Sequence, residues 1–156
     1  VRERWEQIKG EERQQKNQGG TLDDIPRALP ALSRSQKLQK RAARVGFDWS
    51  ELAAVRGKLD EELEELAEAI SEGESAYIES EVGDIFLAMV NLARHLDVDA
   101  EAALRHANRR FEKRFRLMET AADLDGSQLS EESSERLEER WQAAKRELAA
   151  KGSATD

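Results

Sequence analysis

Residues 52–96 read LAAVRGKLDEELEELAEAISEGESAYIESEVGDIFLAMVNLARHL, and the fold turns on this stretch. Leu52, Val55, Leu59, Leu63, Leu66 and Ile70 recur at three- and four-residue steps, the spacing of one helix face. Ile78, Val82, Ile85, Met89, Leu92 and Leu96 repeat the pattern. Between them Ser71-Glu72-Gly73-Glu74-Ser75 has the composition of a turn. The spacing predicts two antiparallel helices that reverse at Gly73. Glu65 and Glu81 then lie eight residues to either side of the turn, and Glu62 and Asp84 lie eleven. At a rise of ~1.5 Å per residue, each pair sits at one height. Glu62 and Glu65, three apart, share a face. Four carboxylates gathered in a small volume suit a hard divalent cation, above all Mg²⁺. Two unit charges ~4 Å apart repel by about 4 kcal/mol at an effective dielectric near 20. Either a cation holds these four together, or they do not converge and form an ordinary solvated face. Glu64 and Glu68 are assigned to solvent. Gly83 admits two explanations, simple tolerance or a close helix–helix approach.

Outward from the hairpin the sequence stays helical, and no run alternates with period two, so the fold class is all-α. A helix is expected over Val1 to Gln15, with Trp5 and Ile8 as its apolar residues. Lys16 to Asp24 is polar and holds Gly19-Gly20, as a loop does. Pro30 suits the first turn of the next helix and Gly46 its end. That helix carries a basic stripe, Lys37, Lys40, Arg41 and Arg44. Asp48-Trp49-Ser50-Glu51 has the form of a capping box. Beyond Leu96, helices are expected over Ala100 to Ala122, and from Ser130 to Ala150. Leu104, Ala107, Phe111, Phe115 and Met118 are core candidates of the first of these. Residues 151–156 are expected to fray.

The chain has 156 residues, 38% hydrophobic and 37% charged, with a net charge of -8 and no cysteine. The length fits one domain, residues 1–150. So lean an apolar content favours burial against a second copy. An acidic chain argues against non-specific nucleic-acid binding. Without cysteine there is no disulfide, zinc–thiolate site or thiol catalysis. No apolar run has the length of a membrane span, and no signal-peptide pattern opens the chain, so a cytoplasmic location is the expectation. A di-iron carboxylate bundle needs Glu-x-x-His pairs. His95 follows Leu92 and His106 follows Ala103 at that spacing, so neither histidine fits.

These residues together resemble the MazG-type nucleoside triphosphate pyrophosphohydrolases of the all-α NTP pyrophosphatase superfamily. The family's EExxE and ExxD motifs stand here as Glu61-Glu62-x-x-Glu65 and Glu81-x-x-Asp84. Leu29 to Leu32, Gln36 to Ala43, Val45 to Trp49 and Asn91 to Leu96 look like the family's flanking segments. Ala107 to Phe115 looks like its ANxKFxxRF segment, with Arg110 where lysine is usual. The likeness runs from Trp5 to about Lys145, and is nearest to the C-terminal domain of two-domain bacterial MazG proteins. Because the chain opens on Val1 rather than Met, the expectation is a part excised from a longer protein.

The resemblance implies a helical-hairpin, four-helix-bundle-like fold completed by homodimerisation. It implies Mg²⁺-dependent hydrolysis of NTPs and dNTPs of broad base range to monophosphate and pyrophosphate, with Mn²⁺ as a substitute. The implied metal ligands are Glu62, Glu65, Glu81 and Asp84. Glu61 is the candidate to orient or deprotonate the attacking water. Lys58, Asn108, Arg110, Arg114 and Lys37 are candidates for phosphate contacts, and Trp141 for stacking on the base, with Trp49 placed in the core or at a helix start. The alternatives are a narrower pyrophosphohydrolase, for dUTP, dCTP or phosphoribosyl-ATP, and a non-catalytic helical dimer that binds nucleotide.

Overall fold

The computed structural model describes residues 19–153. The helix expected over Val1 to Gln15, with Trp5, lies outside them. Among the described residues there are five α-helices and no strand. They are α1 (Ala31–Arg44), α2 (Leu52–Glu72), α3 (Ser75–His95), α4 (Ala100–Leu124) and α5 (Ser134–Ser153), with a 3₁₀ turn at Leu129–Glu131. The chain divides into two compact units, one up to Glu101 and one from Ala102.

In the first unit α2 and α3 form the expected hairpin, and α1 packs on α3. Gly73 closes α2 at a φ of 75°, its N–H bonded to the Ala69 carbonyl at 3.1 Å. A Cβ there would meet nothing within 4 Å, so the backbone conformation alone asks for glycine. The core is small: Val55, Ala69, Ala88 and Val90 are buried. Two glutamines of α1 stitch the layers. Gln36 donates to the Val98 carbonyl at 3.3 Å and accepts from the Ala100 N–H at 3.1 Å, which holds the start of α4. Gln39 donates to the Leu87 carbonyl at 2.9 Å. Arg41, expected in the basic stripe, instead donates to the Thr21 and Asp23 carbonyls and fastens the preceding turn.

The capping box expected at Asp48 does not form. Helix α2 starts at Leu52 with Glu51 as N-cap and no side-chain cap. The Asp48 carboxylate turns to α3, where Arg94 Nη2 donates to it at 2.5 Å and His95 Nε2 lies 2.9 Å away. Two charged or polar partners outweigh one backbone amide. Arg94, then His95, holds Asp48 at about 2, well under its usual 3.8.

In the second unit Met118, Ala122 and Ala144 are buried. Helix α5 begins at Ser134, later than the expected Ser130, because residues 129–131 form the 3₁₀ turn. Ser133 Oγ accepts the Arg136 N–H at 3.2 Å and acts as the cap. Arg140 is the internal anchor. It donates through Nη2 and Nε to the two oxygens of Glu132 at 2.5 and 2.6 Å, and to Asp125 at 3.0 Å. Arg140, followed by Ser127, holds Glu132 at about 2.

Much of the expected apolar stripe is exposed in the single chain. Leu63 and Ile70 on α2, and Val82 and Met89 on α3, all lie open to solvent, as do Leu104, Phe111 and Phe115 on α4; Phe86, outside the expected stripe, is exposed beside them.

Candidate metal centre

The hairpin brings three of the four expected ligands together. One oxygen each of Glu62, Glu81 and Asp84 lies within 4.8 Å of the others. Helix periodicity does this: Glu81 and Asp84 are one turn apart on α3, and Glu62 faces them from α2. Glu62 and Glu81 are each only 6% exposed, and Asp84 is the most open of the three. Lys58 Nζ takes one Glu62 oxygen at 2.8 Å and reaches Glu61 at 3.0 Å. These two glutamates hold the Lys58 ammonium above its usual range. Glu81 has no such partner: its Oε2 is buried without a hydrogen bond. A buried carboxylate oxygen left unpaired amid like charge is what an oxygen-ligated divalent cation would satisfy.

Glu65 does not join the three-oxygen set, yet it senses it. Burial first, and Glu62 next, push its carboxyl up, with Glu81 adding to the effect. The Tyr77 phenol is also raised, by burial and then by Glu81, Glu72 and Glu65. The local field is therefore strongly negative. Glu61 is exposed and paired with Lys58, outside the cluster. Lys37 is exposed on α1. Gly83 has open space where a Cβ would stand, so no close approach within this chain asks for glycine there.

The remaining candidates, Asn108, Arg110, Arg114 and Trp141, belong to the second unit. There the Arg114 guanidinium lies 5.5 Å from the centre of the Trp141 ring, and Phe111 lies 5.5 Å from it on a tilt.

Beside the carboxylates the first unit opens a cavity of about 140 Å³. Lys58, Glu62 and Asp84 border it, and Phe47, Trp49, Val55 and Leu87 contribute apolar wall. Trp49 is 40% exposed at this wall rather than in the core. Gln39, Asn91 and Arg94 supply polar groups that the sequence argument had not assigned. One signal was legible: Ala88 and Asn91 follow Asp84 by four and seven residues, the repeat of one helix face.

Residues 51–116 match the model of the MazG nucleotide pyrophosphohydrolase domain. A nucleoside triphosphate pyrophosphohydrolase of Escherichia coli is 50% identical over 146 residues, which cover 92% of this chain and 56% of the relative. The nucleoside triphosphate pyrophosphohydrolase/pyrophosphatase MazG of Thermotoga maritima is 43% identical over 141 residues, covering 90% of this chain and 54% of the relative. The chain thus spans a little over half the length of these curated relatives. No helix among the described residues is long and apolar enough to cross a membrane.

Proposed function

We infer that this chain, which carries a MazG-type domain, hydrolyses nucleoside triphosphates to the monophosphate and pyrophosphate with Mg²⁺ as cofactor. The observation that carries this reading is the convergence of the buried Glu62 and Glu81 with the more open Asp84, together with the unpartnered Glu81 oxygen. These three residues, with Glu65 beside them, would hold the metal. When bound, the ion offsets phosphate charge and acidifies a coordinated water. The protein's own part is then positional. Lys58, at the cluster edge beside Glu62, is the proposed contact to a phosphate oxygen. Glu61 is the proposed residue for orienting or deprotonating water, once Lys58 turns to substrate. The cavity beside the trio excludes water around the bound nucleoside. Asn108, Arg110, Arg114, Lys37 and Trp141 are retained as proposed substrate contacts on the sequence argument. Asp84→Asn in a Mg²⁺-dependent pyrophosphate-release assay tests the reading. Loss of turnover is expected, and wild-type turnover in the variant would refute it.

The working unit is proposed to be a homodimer. Leu63 and Ile70 share one face of α2, and Val82, Phe86 and Met89 share one face of α3, at helical spacing. Exposed apolar surface at that periodicity calls for a partner helix face, and a second copy offers the same stripe. Sedimentation is expected to give a dimer that Phe86→Asp dissociates. A monomeric parent at micromolar concentration would rule the dimer out.

A further inference from the structure

Residues 45–51 join α1 to α2, and Phe47 and Trp49 of this link form apolar wall of the cavity beside the carboxylate trio. Both rings are open to solvent. Exposed large apolar groups gathered at a cavity mark a binding surface, so what holds the link in place matters. Its first half belongs to α1: the N–H groups of Gly46 and Phe47 donate to the Ala43 and Ala42 carbonyls at 3.0 and 3.1 Å. Beyond Phe47 that hold ends.

Among the described residues, the tertiary hydrogen bonds of residues 48–51 fall on one atom, Asp48 Oδ1. Arg94 Nη2 donates to it at 2.5 Å, and His95 Nε2 lies 2.9 Å away. An ionised carboxylate only accepts, so His95 Nε2 carries the hydrogen. The same oxygen accepts the Trp49 N–H at 2.9 Å, which ties the backbone of a wall residue to the clasp on α3. Arg94 is itself braced, its Nη2 and Nε donating to Asn91 Oδ1 at 2.8 and 3.2 Å, and Asn91 is buried. The Asp48, Arg94 and His95 side chains are largely shielded from solvent, so salt screens the clasp little. Asp84, Ala88, Asn91 and Arg94 follow one another at three- and four-residue steps along α3, and all border the cavity. The ten residues from Asp84 to Arg94 span ~15 Å. The carboxylate cluster thus stands at one end of this face and the clasp on the link at the other.

We propose that Asp48 is a positioning residue: clasped by Arg94 and His95, it sets Phe47 and Trp49 as the wall against which the nucleoside of the substrate rests. The inference rests on the pyrophosphohydrolase reading and gives a part to residues which that reading leaves unused. Asp48 touches no reacting atom. It removes freedom from the link beforehand, so less order is lost when substrate arrives. Losing the clasp weakens ground state and transition state alike, which raises KM and leaves kcat in place.

The test is a double-mutant cycle between clasp and wall, read with ATP and Mg²⁺ as KM and kcat. Asp48→Ala is expected to raise KM by about tenfold or more and to keep kcat within about twofold. Removing both rings, Phe47→Ala with Trp49→Ala, is expected to raise KM at least as far. With the rings already gone, adding Asp48→Ala is expected to change KM by less than about twofold, because the clasp acts through them. Asp48→Asn keeps an acceptor for Arg94 and the Trp49 N–H, and is expected to fall between the parent and Asp48→Ala. It carries the same cycle where Asp48→Ala does not fold. Independent effects of clasp and wall on KM, a fall in kcat without a rise in KM, or a KM that neither change moves would each overturn the proposal and leave the pyrophosphohydrolase reading standing. A parent inactive with ATP and Mg²⁺ sinks the reading and the proposal together.

Discussion

The carboxylate ends of Glu132 in the second unit and Glu81 in the first are both shielded from solvent, but their charges are treated differently. The Glu132 side chain is 7% exposed, and both its oxygens are held by Arg140. Glu81 is 6% exposed, faces two other carboxylates, and keeps one oxygen without a partner. A buried charge that is fully paired is part of the architecture, since removing its partner leaves it stranded. A buried cluster of like charge with an unsatisfied oxygen works against the apo fold, and its retention points to a ligand of opposite sign. The two sites should therefore respond in opposite ways to neutralisation.

The largest effect is expected at the unbalanced site. Glu81→Gln should lower Mg²⁺-dependent turnover by at least ~100-fold, while the metal-free protein melts no lower than the parent. A kinetic assay and a thermal melt on one preparation check both halves. The balanced site should do the reverse. Arg140→Met leaves Glu132 and Asp125 without their shared cation, so the melting midpoint should fall by roughly 5 °C or more. Turnover per folded molecule should stay near the parent's. If Arg140→Met removes activity at unchanged stability, the division between the two sites fails.

Acid probes the balanced pairs without mutation. Asp48 and Glu132 are held at about 2 in the folded chain, against usual values of 3.8 and 4.5. Depressed carboxylates contribute stability that is fully present above about pH 4.5 and lost as pH falls through the folded value. Stability to urea should therefore decline between about pH 4.5 and 2. In a variant carrying both Asp48→Asn and Glu132→Gln, that part of the decline should shrink, and an unchanged profile would show that these pairs are not its source. A smaller effect is expected at the hairpin turn that sets the register of the trio. Gly73→Ala puts a side chain at a φ of 75° and should cost about 1 kcal/mol in urea unfolding.

The hairpin, its turn at Gly73 and the convergence of the Glu62, Glu81 and Asp84 carboxylates were legible in the sequence because helix periodicity and chain reversal fix them geometrically. Asp48 was misread as a helix cap. Its residue type and spacing fit that role, and only the tertiary approach of Arg94 and His95 shows the stronger partners. Trp49 was placed in the core or at a helix start, yet it stands at a cavity wall, a placement that periodicity within a single helix cannot specify. The bonds made by Gln36 and Gln39 were invisible for the same reason: the carbonyls they meet lie far along the chain. Leu63, Ile70, Val82 and Met89 belong to the expected apolar faces, but a single chain does not bury them, and the exposed Phe86 beside them lies outside the expected pattern.

The central claim is that the trio of Glu62, Glu81 and Asp84 holds a divalent cation, and direct binding of Mn²⁺, followed by electron paramagnetic resonance without nucleotide, tests it most plainly. The parent is expected to bind the ion saturably, and Glu81→Gln to weaken binding by at least ~10-fold. Equal binding by parent and variant, or none by the parent up to millimolar Mn²⁺, would contradict the assignment.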